Sequence, residues 1–238
     1  MMKFKYLLLS GSLCIAIIMQ GYGQSNVSAL NVLYLKAIDD ALTADTSEVC
    51  DTLWSLGPEN QRLDLRKMGN DLYVRVGCFT RFPDSFKDSV IVNSWGEFWV
   101  FIPQQFDTRM KQVLAKDSDT LLRVRQMLGL PPDNKNTHVA QMWINLNDLF
   151  RPAGSPSISA ATASPYLSKD ASEEYRTWFI TNIYNTYFSE GTHFPWTRLG
   201  YTYDWAPGAC EVGLSEFCVR KNSRILTIGV VKATQYFK

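Results

Sequence analysis

Histidine is scarce, with 2 in 238 residues, and neither charge is in excess: 24 Lys and Arg stand against 23 Asp and Glu, a formal net charge of +1. A near-neutral chain lacks the broad basic surface that holds nucleic-acid phosphates, so no nucleic-acid partner is expected. Glycine (14) and proline (10) are too few for a collagen-like or low-complexity chain. Charged residues make up 20% and aromatic ones 13%, a balance that excludes intrinsic disorder.

The common chemical signatures are missing too. The sequence contains no Gly-x-x-x-x-Gly-Lys-Ser/Thr, Gly-x-Gly-x-x-Gly, His-Glu-x-x-His or Gly-x-Ser-x-Gly, and no EF-hand loop. That argues against the usual nucleotide, zinc-protease, hydrolase and calcium classes. No Cys-x-x-Cys occurs, and His138 and His193 lie far in sequence from any cysteine pair, so no metal is expected. No cofactor is expected either. Beyond residue 19, no apolar run approaches the length that spans a bilayer.

The N-terminus does carry a signal. Lys3 and Lys5 form a basic start without an acid, and Leu7 to Met19 is apolar apart from Ser10, Gly11 and Ser12. Gly21 and Gly23 supply small residues at the −3 and −1 positions for cleavage before Gln24. This layout predicts a secretory signal peptide over 1–23 and a secreted or periplasmic product. A helix of that run spans about 20 Å, short of the roughly 30 Å hydrocarbon core.

Removing Lys3 and Lys5 leaves 22 cationic residues against 23 acidic ones, net −1. Four cysteines remain: Cys50, Cys78, Cys210 and Cys218. An even count in an exported chain predicts two disulfides. Three connectivities are open, and locality favours Cys50–Cys78 with Cys210–Cys218.

Apolar periodicity predicts a helix over 26–44, and Asp170 as cap with Glu173 as its reciprocal partner predicts another over the aromatic-rich 171–188. Further helical stripes follow Gln104 and a cap at Asp117 or Ser118, the second stopped by Gly129, Pro131 and Pro132. Strands are predicted over 49–56, 71–82, 89–92, 97–103, 137–146, 199–205, 213–220 and 224–232. Many short strands without a βαβ rhythm imply an α+β fold: a mainly antiparallel sheet, helices on one side, and a single compact domain over 24–238. Residues 152–168, rich in Ser, Ala, Thr, Gly and Pro, read as an exposed loop.

The segment 190–217 concentrates polar and aromatic groups. His193, Arg198, Asp204 and Glu216 are the candidate catalytic residues. Trp196, Tyr201, Tyr203 and Trp95, two in loops and two on a strand face, are the candidate ligand-binding rings. Two functions follow. One is a binding or interaction domain for a small molecule, glycan or protein, using this segment. The alternative is a secreted hydrolase or transferase, of toxin-like ribonuclease or ADP-ribosyl transferase type, in which Arg198 clamps an anion while Glu216 and His193 move protons. The second requires those side chains to converge in one pocket. Without that convergence, Arg198 and Glu216 are expected to form a cross-strand ion pair and Asp204 to cap a turn.

Overall fold

A computed structural model describes residues 29–114 and 118–237. The expected signal peptide lies outside the described residues. Strands β1 (Leu65–Met68), β2 (Asp71–Thr80), β3 (Val90–Val92), β4 (Phe98–Phe101), β5 (His138–Asn145), β6 (Leu149–Phe150), β7 (Tyr201–Tyr203), β8 (Val212–Val219) and β9 (Arg224–Lys232) pair antiparallel throughout. The sheet runs β3-β9-β5-β2-β4-β8-β6, with β1 added to β2 and β7 to β8. Helices are α1 (residues 29–41), α2 (Pro103–Val113), α3 (Thr120–Met127), α4 (Glu173–Tyr187) and the short α5 (Ala233–Tyr236). The protein is therefore the expected α+β domain with an antiparallel sheet.

Period-two alternation explains the centre. On β2, Val74, Val76 and Cys78 point to one face and meet Ala140, Met142 and Ile144 of β5 and Val100 of β4. Phe79 turns to the other face, where Phe101, Phe106, Met110, Val124 and Met127 gather under α2 and α3. Gly77 is required beside them: a Cβ there would sit 2.5 Å from the Phe101 ring. Helices α2, α3, α5 and α4 cover this second face. The first face is closed by irregular chain, including Leu56, Leu63 and Ile158.

Helix starts follow capping chemistry. Asp119 accepts Leu122 N–H at 3.0 Å to open α3. Ser172, not Asp170, caps α4 by accepting Tyr175 N–H at 3.2 Å. Glu173 and Glu174 then face the positive end of that helix. The strand expected over 49–56 is absent. There the chain is extended but joins no ladder, because its polar groups are met by the irregular segment 156–161: Leu53 N–H donates to Ala161 O and Leu56 N–H to Ile158 O. The loop expected to be exposed over 152–168 is irregular as predicted, but residues 151–154 are buried.

The residue behind that burial is Arg151, wholly enclosed. Its Nη2 donates to Trp54 O at 2.9 Å and Ala160 O at 3.0 Å, Nη1 to Gly200 O at 3.2 Å, and Nε to Ser157 O at 3.3 Å. The guanidinium also lies 4.6 Å over the Phe217 ring. Gly200 adopts φ +79, and a Cβ there would meet the Arg151 side chain at 2.8 Å. Burial lowers the Arg151 pKa to about 10, which still leaves it charged at neutral pH. Arg151→Leu strands the carbonyls of Trp54, Ser157 and Ala160, whereas Gly200 O keeps Glu216 N–H at 3.0 Å. The substitution is expected to cost about 3–5 kcal/mol in urea unfolding. A loss below about 1 kcal/mol would remove this tie from the account.

Candidate functional site

The residues of segment 190–217 do not meet in one place. Arg198 sits at φ 60 and its Nη2 donates to Ala41 O and Leu42 O, both at 2.7 Å, ending α1. Its guanidinium stacks 5.4 Å over Tyr187. Burial lowers its pKa. Asp204 is buried and forms a two-pronged ion pair with Arg123, Nη1–Oδ1 at 2.9 Å and Nη2–Oδ2 at 2.6 Å. It also accepts Ala206 N–H at 3.2 Å, the expected turn cap. His193 is half-buried, and its backbone carbonyl accepts the Tyr34 hydroxyl at 2.9 Å. The expected Arg198–Glu216 ion pair is absent: Arg198 binds a helix end, and Glu216 lies in the core.

Glu216 stands opposite Phe101 on β8, beside Cys218. Its carboxyl is enclosed, and Oε1 has no hydrogen-bond partner. Burial raises its pKa well above the usual carboxylate value, opposed by the Arg151 charge and the Trp196 indole. It stays protonated where an exposed glutamate would ionise.

The candidate rings are placed as follows. Trp196 is buried, with its indole N–H donating to Pro152 O at 3.0 Å. Tyr201 is buried and donates to Glu48 O at 3.0 Å. Tyr203 donates to Asp40 Oδ2 at 2.8 Å. Trp95 remains 48% exposed, resting on Phe86 and Phe98.

Of the four candidate rings Tyr203 alone lines an open depression, of about 420 Å³, together with the candidate Asp204 and with Leu33, Lys36, Asp40 and Glu211. Burial, then Asp40 and Glu48, raise the Glu211 pKa. The depression offers carboxylate acceptors to a cation but is shallow. Among the described residues no cluster of three or more His, Cys, Asp or Glu groups could hold a metal ion, and no helix is long and apolar enough to cross a membrane.

Cys50, Cys78, Cys210 and Cys218, the cysteines among the described residues, are free thiols. The local pairing is corrected by the fold. Cys50 packs with Leu53 and Tyr201, whereas Cys78 belongs to the separate core around Val76 and Met142. Cys218 lies near the far end of extended β8, roughly 20 Å at the usual strand rise from Val212, and Cys210 precedes that strand, whereas a disulfide needs Cα atoms within about 7 Å.

The surface that sequence reading missed lies on α4. Its inner face holds Tyr175, Phe179 and Tyr187. Its outer face carries Ile180, Tyr184 and Phe188 at 60%, 59% and 63% exposure, spaced four residues apart in one row. Leu42, just past α1, and Phe194 are also exposed. The ends of α1 and α4 are joined: the Tyr187 hydroxyl lies 3.0 Å from Ala41 O, and Arg198 bridges them. The signal available in sequence was the density of aromatics over 171–188, which leaves neither side of the helix polar.

Glu216→Gln tests the enclosed carboxyl. A raised folded pKa means that the folded state holds more protons, so stability falls as pH rises above the unfolded value of 4.5. The variant is expected to melt higher than wild type at pH 8, with the difference shrinking towards pH 4.5. A pH-independent drop in Tm would show that the carboxylate is ionised and needed.

Comparison of the chain with protein-family models, with curated proteins and with solved structures finds no match.

Proposed function

We propose that this protein is an exported interaction domain whose binding surface is the outer face of α4. The observation that carries the reading is the two-faced apolar character of α4. The inner face is fully used against β6 and β8, through Phe150 and Cys218. Of the outer row Ile180, Tyr184 and Phe188, only Phe188 meets another ring, Tyr187 edge-on at 6.5 Å, and all three stay mostly exposed. An exposed row of this kind marks a surface that a partner covers.

The chemistry of the row defines the partner. Its spacing presents a ridge to which the apolar face of an amphipathic helix packs. The exposed charges along α4 and just past its end are acidic: Glu173 and Glu174 in the first turn and Glu190 after the last. Arg198, at the same end, is half-buried and holds Ala41 O and Leu42 O. The one basic residue of α4, Arg176, is turned away to hold Ala171 O, Ser168 O and Lys169 O at 2.6–2.9 Å. The partner is therefore a protein segment with an apolar ridge flanked by Lys or Arg.

A helical peptide of leucine and lysine serves as the probe, with its leucine and glutamate counterpart as control. The basic peptide is expected to bind at least about tenfold tighter than the acidic one by fluorescence anisotropy. Tyr184→Ser with Phe188→Ser should remove that difference while leaving Tm within a few degrees, since both rings are mostly exposed and only Phe188 touches another ring. Equal binding of both peptides, or self-association of the protein through α4 in sedimentation, would overturn the assignment.

Export rests on the sequence of residues 1–23. The N-terminal residue of the protein recovered from the periplasm or medium is expected to be Gln24. An intact Met1 in that fraction would exclude cleavage.

A further inference from the structure

Two irregular segments, 155–159 and 168–171, meet the edge of the sheet at 146–149 and Arg220 and line a groove of about 500 Å³, the size of a small-molecule cleft. Both segments are fixed by arginines that do not line the groove. Arg151 holds the first: its N–H donates to Pro156 O at 3.0 Å and its Nε to Ser157 O at 3.3 Å. Arg176 holds the second through Ser168 O at 2.8 Å, Lys169 O at 2.6 Å and Ala171 O at 2.9 Å. Ser168 N–H reaches Gly154 O at 2.7 Å and ties the two together. The groove is therefore shaped before any ligand arrives.

Arg220 is the third fixed point. Its N–H donates to Asp148 O at 2.9 Å, its carbonyl accepts Asn93 Nδ2 at 2.9 Å, and its guanidinium lies 5.0 Å over the buried Phe150 ring. The residue is exposed, and among the described residues its guanidinium has no hydrogen bond and no carboxylate within ion-pair distance. Asp148 interacts with this charge without forming an ion pair.

The other polar groups sort by donor and acceptor. Ser155 Oγ accepts Ser157 N–H at 3.4 Å and Ser168 Oγ accepts Asp170 N–H at 3.3 Å, so each hydroxyl proton is left to donate. The Ser157 and Ser159 hydroxyls share one bond at 3.2 Å, which leaves one proton more. Among the lining residues Asp170 is the single carboxylate, and it is exposed. A bare anion would satisfy Arg220 and the hydroxyls but meet repulsion from Asp170. A neutral sugar would satisfy Asp170 but leave the guanidinium without a counter-charge. A sugar that carries a carboxylate answers both.

We propose that this groove binds an acidic sugar of the uronic acid class. Its carboxylate pairs with the Arg220 guanidinium, its hydroxyl protons are accepted by Asp170, and its ring and hydroxyl oxygens accept from the serine hydroxyls. The site is distinct from the outer row of α4 and does not rest on it.

Sodium glucuronate is the probe, with glucose as its neutral counterpart and acetate as the charge without the sugar, each titrated into the folded protein by two-dimensional NMR. Glucuronate is expected to shift amides of 146–149, 155–159, 168–171 and 220, with an affinity at least about tenfold above that of glucose or acetate. Arg220→Gln should bring glucuronate down to the level of glucose while leaving Tm within a few degrees, because the side chain is exposed. Asp170→Ala should also weaken glucuronate, although it removes a charge of the ligand's own sign. The proposal is overturned if glucuronate does not bind, if it shifts only other residues, or if glucose or acetate binds as tightly. It is equally overturned if Arg220→Gln binds as wild type does, or if Asp170→Ala leaves binding unchanged or tightens it.

Discussion

A single enclosed guanidinium holds the irregular half of this molecule to the regular half. Arg151 follows the last short strand of the sheet and donates to carbonyls of residues 54, 157, 160 and 200. Gly200 O also accepts Glu216 N–H at 3.0 Å, but the carbonyls of 54, 157 and 160 belong to segments that make no ladder. Buried backbone oxygens without partners are costly, and three of them in one place would open the fold to water. A lysine could not replace the arginine, because only a planar fork reaches several acceptors at once. With Arg151 in place, the first sheet face can be closed by loops instead of helices. All the longer helices are then free to cover the other face and its edge.

The aromatic residues extend the same device. Hydroxyls of Tyr34, Tyr175, Tyr187 and Tyr201 and the indole of Trp196 all donate to backbone carbonyls far away in sequence. Each ring fills core volume while its polar tip satisfies a loop. This explains why segment 190–217 looked like a site. Arg198 and Asp204 bind a helix end and Arg123; Trp196 and Tyr201 bind carbonyls. A segment that stitches loops together needs the same residue types as a catalytic cleft, and composition alone does not separate the two.

The regular elements were legible because they carry period. The strand predicted over 224–232 matches β9, and 137–146 and 71–82 match β5 and β2 within one or two residues. Helix α1 followed from a 3.6-residue stripe, and α4 from a capping pattern at its start, although the cap is Ser172 and not Asp170. The strand over 49–56 failed because its hydrogen bonds go to a loop about 105 residues later, a partner that local pattern cannot report. Both β1 (Leu65–Met68) and β6 (Leu149–Phe150) escaped notice, being too short for alternation to register. Arg151 was invisible for a different reason: an arginine is usually exposed, and its burial depends on four distant oxygens. The cysteine pairing failed on distance along a strand, which an even count does not encode.

On α4 stability and recognition separate cleanly. Its inner rings already meet Phe150, Cys218 and Trp196 in close aromatic contact, Phe150 and Trp178 at 4.7 Å. Nothing on the sheet is left for the outer row to cover. Fold stability therefore places no demand on Ile180, Tyr184 or Phe188, and a soluble domain gains nothing by exposing them alone. A helix that served only the core would carry polar residues there, as α2 does with Thr108 and Lys111. The difference between these two helices of one domain, with α2 apolar on one side and α4 on both, is the physical reason to look for a partner at α4.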